Sequence, residues 1–269
     1  MNIEEIIKRD GHKTSSKIIL IGIALVALAL VFAIATCLIL LIFPVTEIEV
    51  AGDSRYSYEE IIDASGVKIG GRLYFINERK AERRLLSSMS YLENAEVNSY
   101  FPNRVKIEIS EYEDTYLVDH ENGYCFVNGD FKILEIVNAT PSYETFSSVF
   151  IKLENPLSGE VGDTCFSEDA QRATELVRYL KEYGFYQYLN IIDVKGKYDV
   201  SFTVYKRYKF VLGSMNDLAD KMEVSFKVCF TDEFKRDENC IIDSSDKKRV
   251  VLRYITDDDI KKEFDFCEI

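Results

Sequence analysis

The side chains in this sequence best suited to metal or nucleophile chemistry are two histidines and six cysteines, and their spacing serves neither purpose. His12 precedes a long apolar run, and His120 stands between Asp119 and Glu121 beside a predicted turn. A general base or a metal ligand needs partners within reach, so His120 reads as a solvated turn histidine. Cys37 lies inside the apolar run. Cys125, Cys165, Cys229, Cys240 and Cys267 come after it, in odd number and without a Cys-x-x-Cys pair. A zinc site needs closely spaced ligands, and a disulfide framework needs an even set. Gly66-x-x-x-Gly70-Gly71 lacks the Gly-Lys-Ser/Thr ending of a phosphate loop and reads as turn glycine. Asp257-Asp258-Asp259 has acidic oxygens but no accompanying turn glycine or spaced ligand set, so it reads as a frayed acidic tail rather than a calcium loop. No catalytic, cofactor-binding or metal-binding residue is nominated, and no cofactor is implied.

The elements that would position such residues begin with the apolar run itself. Ile18 to Phe43 carries no charged side chain. As a helix rising about 1.5 Å per residue it would reach roughly 39 Å, more than the ~30 Å a bilayer core requires. A core helix of this length in a soluble protein would show a polar face, and this one has none. Lys8, Arg9, Lys13 and Lys17 precede it, while Glu47 and Glu49 lie just after it, with Arg55 the first base beyond. The positive-inside rule therefore places the N-terminus in the cytoplasm and the bulk of the chain outside. Ala33-Ile34-Ala35 and Ile34-Ala35-Thr36-Cys37 resemble cleavage sites, but the run is too long for a signal segment, and cleavage would leave a greasy new terminus. Ala29, Ala33 and Cys37 recur at four-residue spacing. Such a stripe can admit a second helix closely, or can simply reflect how common alanine is in membrane helices.

Of the 269 residues, the first seventeen hold four bases and three acids, so the chain beyond the membrane segment carries 29 bases and 43 acids. A surface that acidic repels phosphate backbones and excludes nucleic acid as a partner. Ile48 and Val50 alternate with Glu47 and Glu49 in a half-buried strand. Ser57-Tyr58-Glu59-Glu60 is a capping box opening a short helix that ends at Gly66. Asn77 caps a second helix with Ala81, Leu85 and Met89 on one face. A strand comes next over Ala95 to Tyr100, then a turn at Pro102-Asn103, then a strand in which Val105, Ile107 and Ile109 alternate with polar residues. Two helices on one face of a three-stranded sheet can bury a small core.

This order, directly after a membrane helix, resembles a POTRA domain, and the whole chain resembles the FtsQ/DivIB family of bacterial division proteins. The most diagnostic stretch is Tyr91, Ala95 and Val97, the aromatic-Pro pair Phe101-Pro102, and the strand Val105, Ile107, Ile109 ending in Glu111. Thr115 to Ile136 looks like two strands around a turn and a third after Asn128-Gly129-Asp130. Ser167 caps a helix with Ala173, Leu176, Val177 and Leu180 inward, and short strands come after it over 191–195, 200–205 and 208–212. Ser214 starts a further helix with Leu218, Met222 and Phe226 on a stripe. Gly213 and Lys221 match the family's Val-x-Leu-Gly strand and inward lysine. The expected architecture is α+β: tail 1–17, transmembrane helix 18–43, a β-α-α-β-β POTRA domain over 45–112, a mixed β domain with two longer helices over 113–256, and an acidic tail 257–269.

The resemblance implies a non-enzymatic, single-pass divisome scaffold in the cell membrane, located at the division septum. It would link partners across the membrane and help recruit or regulate septal peptidoglycan synthesis. The implied partners are FtsB/DivIC-like and FtsL-like subunits, with FtsW and the septal transpeptidase as further contacts. A sporulation or secretion-associated POTRA protein shares the expected fold. A membrane-anchored cell-wall hydrolase would need paired carboxylates or a Cys/His pair, and none stands out. The last strand, Val250, Val251, Leu252, Arg253 and Tyr254, has no later element to pair with, so it is expected to form a sheet edge onto which a partner strand can add. Lys247, Lys248 and Arg249 form a dense basic run beside it that could steer an acidic segment there. The resemblance points to the same strand; an ordinary strand beside a solvated turn is the plainer alternative.

Overall fold

The computed structural model describes residues 20–37, 43–138, 148–229, 238–246 and 248–262. These divide into two compact units, Met1–Glu111 and Tyr112–Ile269. Helix α1 (Leu20–Cys37) is 18 residues long, has a mean hydropathy of 2.8 and buries none of its surface in the protein. It fits a single-pass membrane protein. The basic residues before it, and Cys267 at the far end, lie outside the described residues.

In the first unit, β1 (Glu47–Ala51) is followed by α2 (Tyr58–Ser65), α3 (Glu78–Ser88), β2 (Leu92–Tyr100) and β3 (Arg104–Glu111). The sheet order is β1-β3-β2, with β1 parallel and β2 antiparallel to the central β3. Local chemistry sets the helix ends as the sequence predicts. Ser57 and Glu60 form the reciprocal capping box, and Gly66 closes α2 at φ 73. Asn77 accepts the Lys80 N–H at the start of α3. Ala81, Leu85 and Met89 pack on Val97, Val105, Ile107 and Ile109 in one core. The exposed edge of β2 is covered by α3, whose Glu82 and Glu78 carboxylates accept the N–H groups of Val97 (3.2 Å) and Ser99 (2.7 Å).

Glu111, the last residue of the diagnostic stretch, closes this unit. Its carboxylate accepts the Ser54 hydroxyl (2.7 Å), the Arg55 N–H (2.7 Å) and the Arg55 guanidinium (3.2 Å), and that guanidinium also lies 3.4 Å over the Tyr91 ring. Burial pushes the carboxyl up, but the Ser54 and Arg55 hydrogen bonds outweigh it and leave it below the usual glutamate range. A depressed folded value means that the contribution is present above the ordinary glutamate pKa and is lost as pH falls through the folded value. Glu111→Gln should therefore melt lower at neutral pH and lose part of the acid dependence of the wild type, as read by thermal unfolding across pH 3–7.

The second unit is a nine-stranded sheet in the order β12-β11-β10-β9-β8-β7-β4-β5-β6. Its strands are β4 (Thr115–His120), β5 (Gly123–Asn128), β6 (Ile133–Val137), β7 (Val149–Lys152), β8 (Leu189–Asp193), β9 (Val200–Val204), β10 (Tyr208–Gly213), β11 (Asn239–Asp246) and β12 (Arg249–Ile255). The two longer helices are α4 (Glu168–Glu182), capped by Ser167, and α5 (Leu218–Val228). Each is the crossover of a parallel pair, β7 to β8 and β10 to β11, as parallel neighbours require. The core between helices and sheet includes Leu176, Leu180, Met222 and the stacked rings of Phe202 and Phe210, 4.7 Å apart.

Three local expectations are corrected, and one strand is added to them. Strand β7 carries too short an apolar run to stand out by pattern. Helix α5 begins at Leu218 and not at Ser214: Gly213 turns the chain at φ 69, and the buried Lys221 ammonium holds the Ser214 carbonyl (2.8 Å), so residues 214–217 are spent in a turn. Asp257-Asp258-Asp259 is no frayed tail but the first turn of α6 (Asp257–Lys262), where carboxylates meet the positive end of the helix dipole. Ile260 anchors that helix against Ile191 and Ile255. His120 is not solvated, being only 4 % exposed at the end of β4. Its Nδ1 accepts the Asn122 N–H (3.2 Å), which places the proton on Nε2, and Nε2 donates to the Gly159 carbonyl (3.1 Å).

Candidate interaction site

Strand β12 is one end of the nine-stranded sheet, and among the described residues no strand pairs with its outer side. Its inner side is antiparallel to β11, with Ile241 opposite Arg253, Ile242 opposite Leu252 and Asp243 opposite Val251. The direction of each backbone group can be read from one bond. The Cys240 N–H donates to the Arg207 carbonyl (3.1 Å), so Cys240 faces β10. Alternation along the strand turns Ile241 and Asp243 towards β12, where they exchange bonds with Arg253 and Val251. Leu252 sits in a non-hydrogen-bonded pair, and its N–H and C=O project from the outer edge.

The side chains divide as alternation predicts. Val250, Leu252 and Tyr254 are half-buried against the main core, while Val251 and Arg253 are exposed on the other face. Of the basic run, Lys248 and Arg249 are exposed in and after the β11–β12 turn, and Lys247 lies outside the described residues. Behind the edge, α5 is pinned by a buried hydrogen bond between Ser225 and Ser244 (2.7 Å) and by Lys221, which is 4 % exposed and also approaches the Ser214 hydroxyl (3.4 Å). Gly213 has a physical reason to be glycine: besides its positive φ, a Cβ there would lie 3.0 Å from the Ser245 Cβ. The edge is thus backed by the packed β10-α5-β11 unit.

Other nominated positions carry less chemistry. Ala29, Ala33 and Cys37 lie one turn apart along an exposed face of α1. Burial pushes the Cys125 thiol up to about 12 and the Cys229 thiol up to about 11, away from the thiolate a nucleophile needs. No cluster of three metal-ligating side chains occurs among the described residues. Sequence reasoning missed the tyrosine network that fastens the start of this unit. Tyr186 donates to Asp114 (2.6 Å), lies 3.3 Å from the Tyr116 hydroxyl, and stands beside the ion pair of Asp114 with Lys181. Burial raises the phenol pKa of Tyr186 and pushes Tyr116 up to about 12.

Comparison with known proteins adds to this geometry. Residues 43–112 match the family model described as POTRA domain, FtsQ-type. The chain is 23 % identical to the cell division protein DivIB of Clostridium acetobutylicum over 197 residues, covering 72 % of this chain and 77 % of that protein. It is 20 % identical to the cell division protein DivIB of Clostridium botulinum strain Hall over 253 residues, covering 91 % and 94 %. It is 24 % identical to that of the Loch Maree strain over 136 residues, covering 50 % and 51 %.

Proposed function

We infer that this chain, a member of the FtsQ/DivIB family, has a role in cell division, as a bitopic scaffold of the division machinery. It works without a catalytic site of its own, holding partner subunits together across the membrane and recruiting or regulating septal peptidoglycan synthesis. The observation that carries this reading is the outer edge of β12, with which no strand pairs among the described residues, in a chain whose first folded domain is an FtsQ-type POTRA domain. Val250, Val251, Leu252, Arg253 and Tyr254 form the edge that a strand of an FtsB/DivIC-like subunit extends. Exposed Lys248 and Arg249 favour an acidic approach segment. An FtsL-like subunit, FtsW and the septal transpeptidase complete the assembly, and Ala29, Ala33 and Cys37 form the face of α1 that a partner helix packs against.

A fluorescent fusion expressed at native level should form a band at midcell. Uniform membrane fluorescence overturns the reading, and forespore or secretion-channel foci favour a sporulation or secretion role instead. The orientation has its own test. Protease added to spheroplasts should digest residues beyond α1 and spare the N-terminal tail. Full protection of the folded domains, or a mature protein starting near Thr36 or Cys37, would sink it.

A further inference from the structure

The surface of the POTRA domain nearest its membrane anchor is both greasy and basic. Ile69, Tyr74, Phe75 and Phe101 expose 71, 64, 63 and 71 % of their surface, unusually much for side chains of this size. Beside them, Lys68, Arg72, Lys80 and Arg84 line a concavity of about 480 Å³ to which no carboxylate contributes. This is notable in a chain with 29 bases against 43 acids beyond its membrane segment. The acids of α3 are engaged elsewhere, since Glu78 and Glu82 are turned to the edge of β2.

This surface is bonded to the residues that leave the membrane helix. The Leu73 N–H donates to the Phe43 carbonyl (3.2 Å), Val45 donates to Gly71 (2.7 Å), Gly70 donates to Val45 (2.8 Å), and Pro44 bridges Arg72. The Phe43 ring packs edge-on to Phe101 at 4.9 Å. Only residues 38–42 separate Phe43 from the end of α1. At no more than about 3.6 Å per residue, the chain cannot carry Phe43 more than about 22 Å from Cys37.

We propose that this face is a lipid-binding surface, which rests on anionic phospholipid headgroups of the same membrane that holds α1. Aromatic side chains settle at the headgroup level of a bilayer, and lysine and arginine pair with lipid phosphates there. A soluble anion would use the bases but not the exposed aromatic rim. The short tether keeps the bilayer within reach of both. The contact would hold the domain down on the membrane instead of leaving it to swing on its linker.

The chain contains no tryptophan, so Phe75→Trp supplies a sole reporter. The full-length protein carrying it is placed in nanodiscs of phosphatidylcholine, alone or mixed with phosphatidylglycerol, with bromine on the acyl chains. The expected result is a blue-shifted emission quenched more strongly in the mixed discs. The difference should vanish at high salt and in a Lys68→Glu/Lys80→Glu variant, whose fold is checked by circular dichroism. Added inorganic phosphate should change nothing. Unquenched, red-shifted emission in both discs overturns the proposal. Equal quenching in both lipids, untouched by salt or charge reversal, overturns headgroup recognition. A phosphate-dependent shift in phosphatidylcholine discs assigns the concavity to a soluble anion instead. The comparison between lipids needs no charge variant, so misfolding of that variant cannot rescue the idea.

Discussion

Leu252→Pro is expected to abolish capture of the proposed FtsB/DivIC-like partner while leaving the second unit folded. The substitution is selective because of where the Leu252 backbone points. Its N–H faces away from β11, so proline removes no bond from the existing sheet, whose pairs run through Arg253 and Val251. A partner strand adding to β12 would lose a main-chain donor in the middle of its ladder and would meet the pyrrolidine ring there. Tyr254→Ala is the companion. It removes a side chain that packs on the core beside the same edge, and it should weaken capture with a modest loss of stability. Pull-down from detergent extracts reads both, with circular dichroism as the check on folding. Retention of full partner binding by both folded variants would move the interface off β12.

Ile107→Ala is the substitution expected to cost most in stability. Ile107 is fully buried on the central strand of the POTRA sheet, with Val50 opposite on β1 and Val97 opposite on β2. Truncation there removes contacts on both sides and leaves a cavity beneath α2 and α3, at a cost of about 2–5 kcal/mol. Domains are stable by only about 5–15 kcal/mol in total, and small ones lie at the lower end. The POTRA domain should therefore open well before the rest of the chain. Hydrogen exchange on the detergent-solubilised protein would show this as lost protection confined to the first unit. Lys106→Ala is the control, because its side chain points to the other face and pairs with the exposed Glu108. Wild-type protection in Ile107→Ala would place the core elsewhere.

The POTRA domain was almost wholly legible because its signals are short-range. The capping box at Ser57, the αL glycine at Gly66, the cap at Asn77 and the alternation of Val105, Ile107 and Ile109 each involve residues within four or five positions. The second unit was less so. Strand β7 is four residues long and draws its identity from parallel neighbours β4 and β8, which lie far away in sequence. Ser214 carries a good capping side chain, but Lys221 and Gly213 commit it to a turn. The acidic residues at 257–259 look solvated until Ile260 is seen to pack on Ile191, nearly seventy positions earlier.

By itself the sequence determined the membrane helix, the caps of α2, α3 and α4, the strand faces and the family resemblance, since each depends on composition or on a period of two to four residues. It also marked Val250 to Tyr254 as the last strand. Only the tertiary structure decided that this strand ends a nine-stranded sheet and that the Leu252 backbone points outward. It alone showed that His120 is buried against Gly159 and that four bases from a loop and a helix gather beside the anchor. Those facts rest on pairing and packing between segments tens of residues apart. Their energies come from burial and hydrogen bonding that exist only once the segments have met.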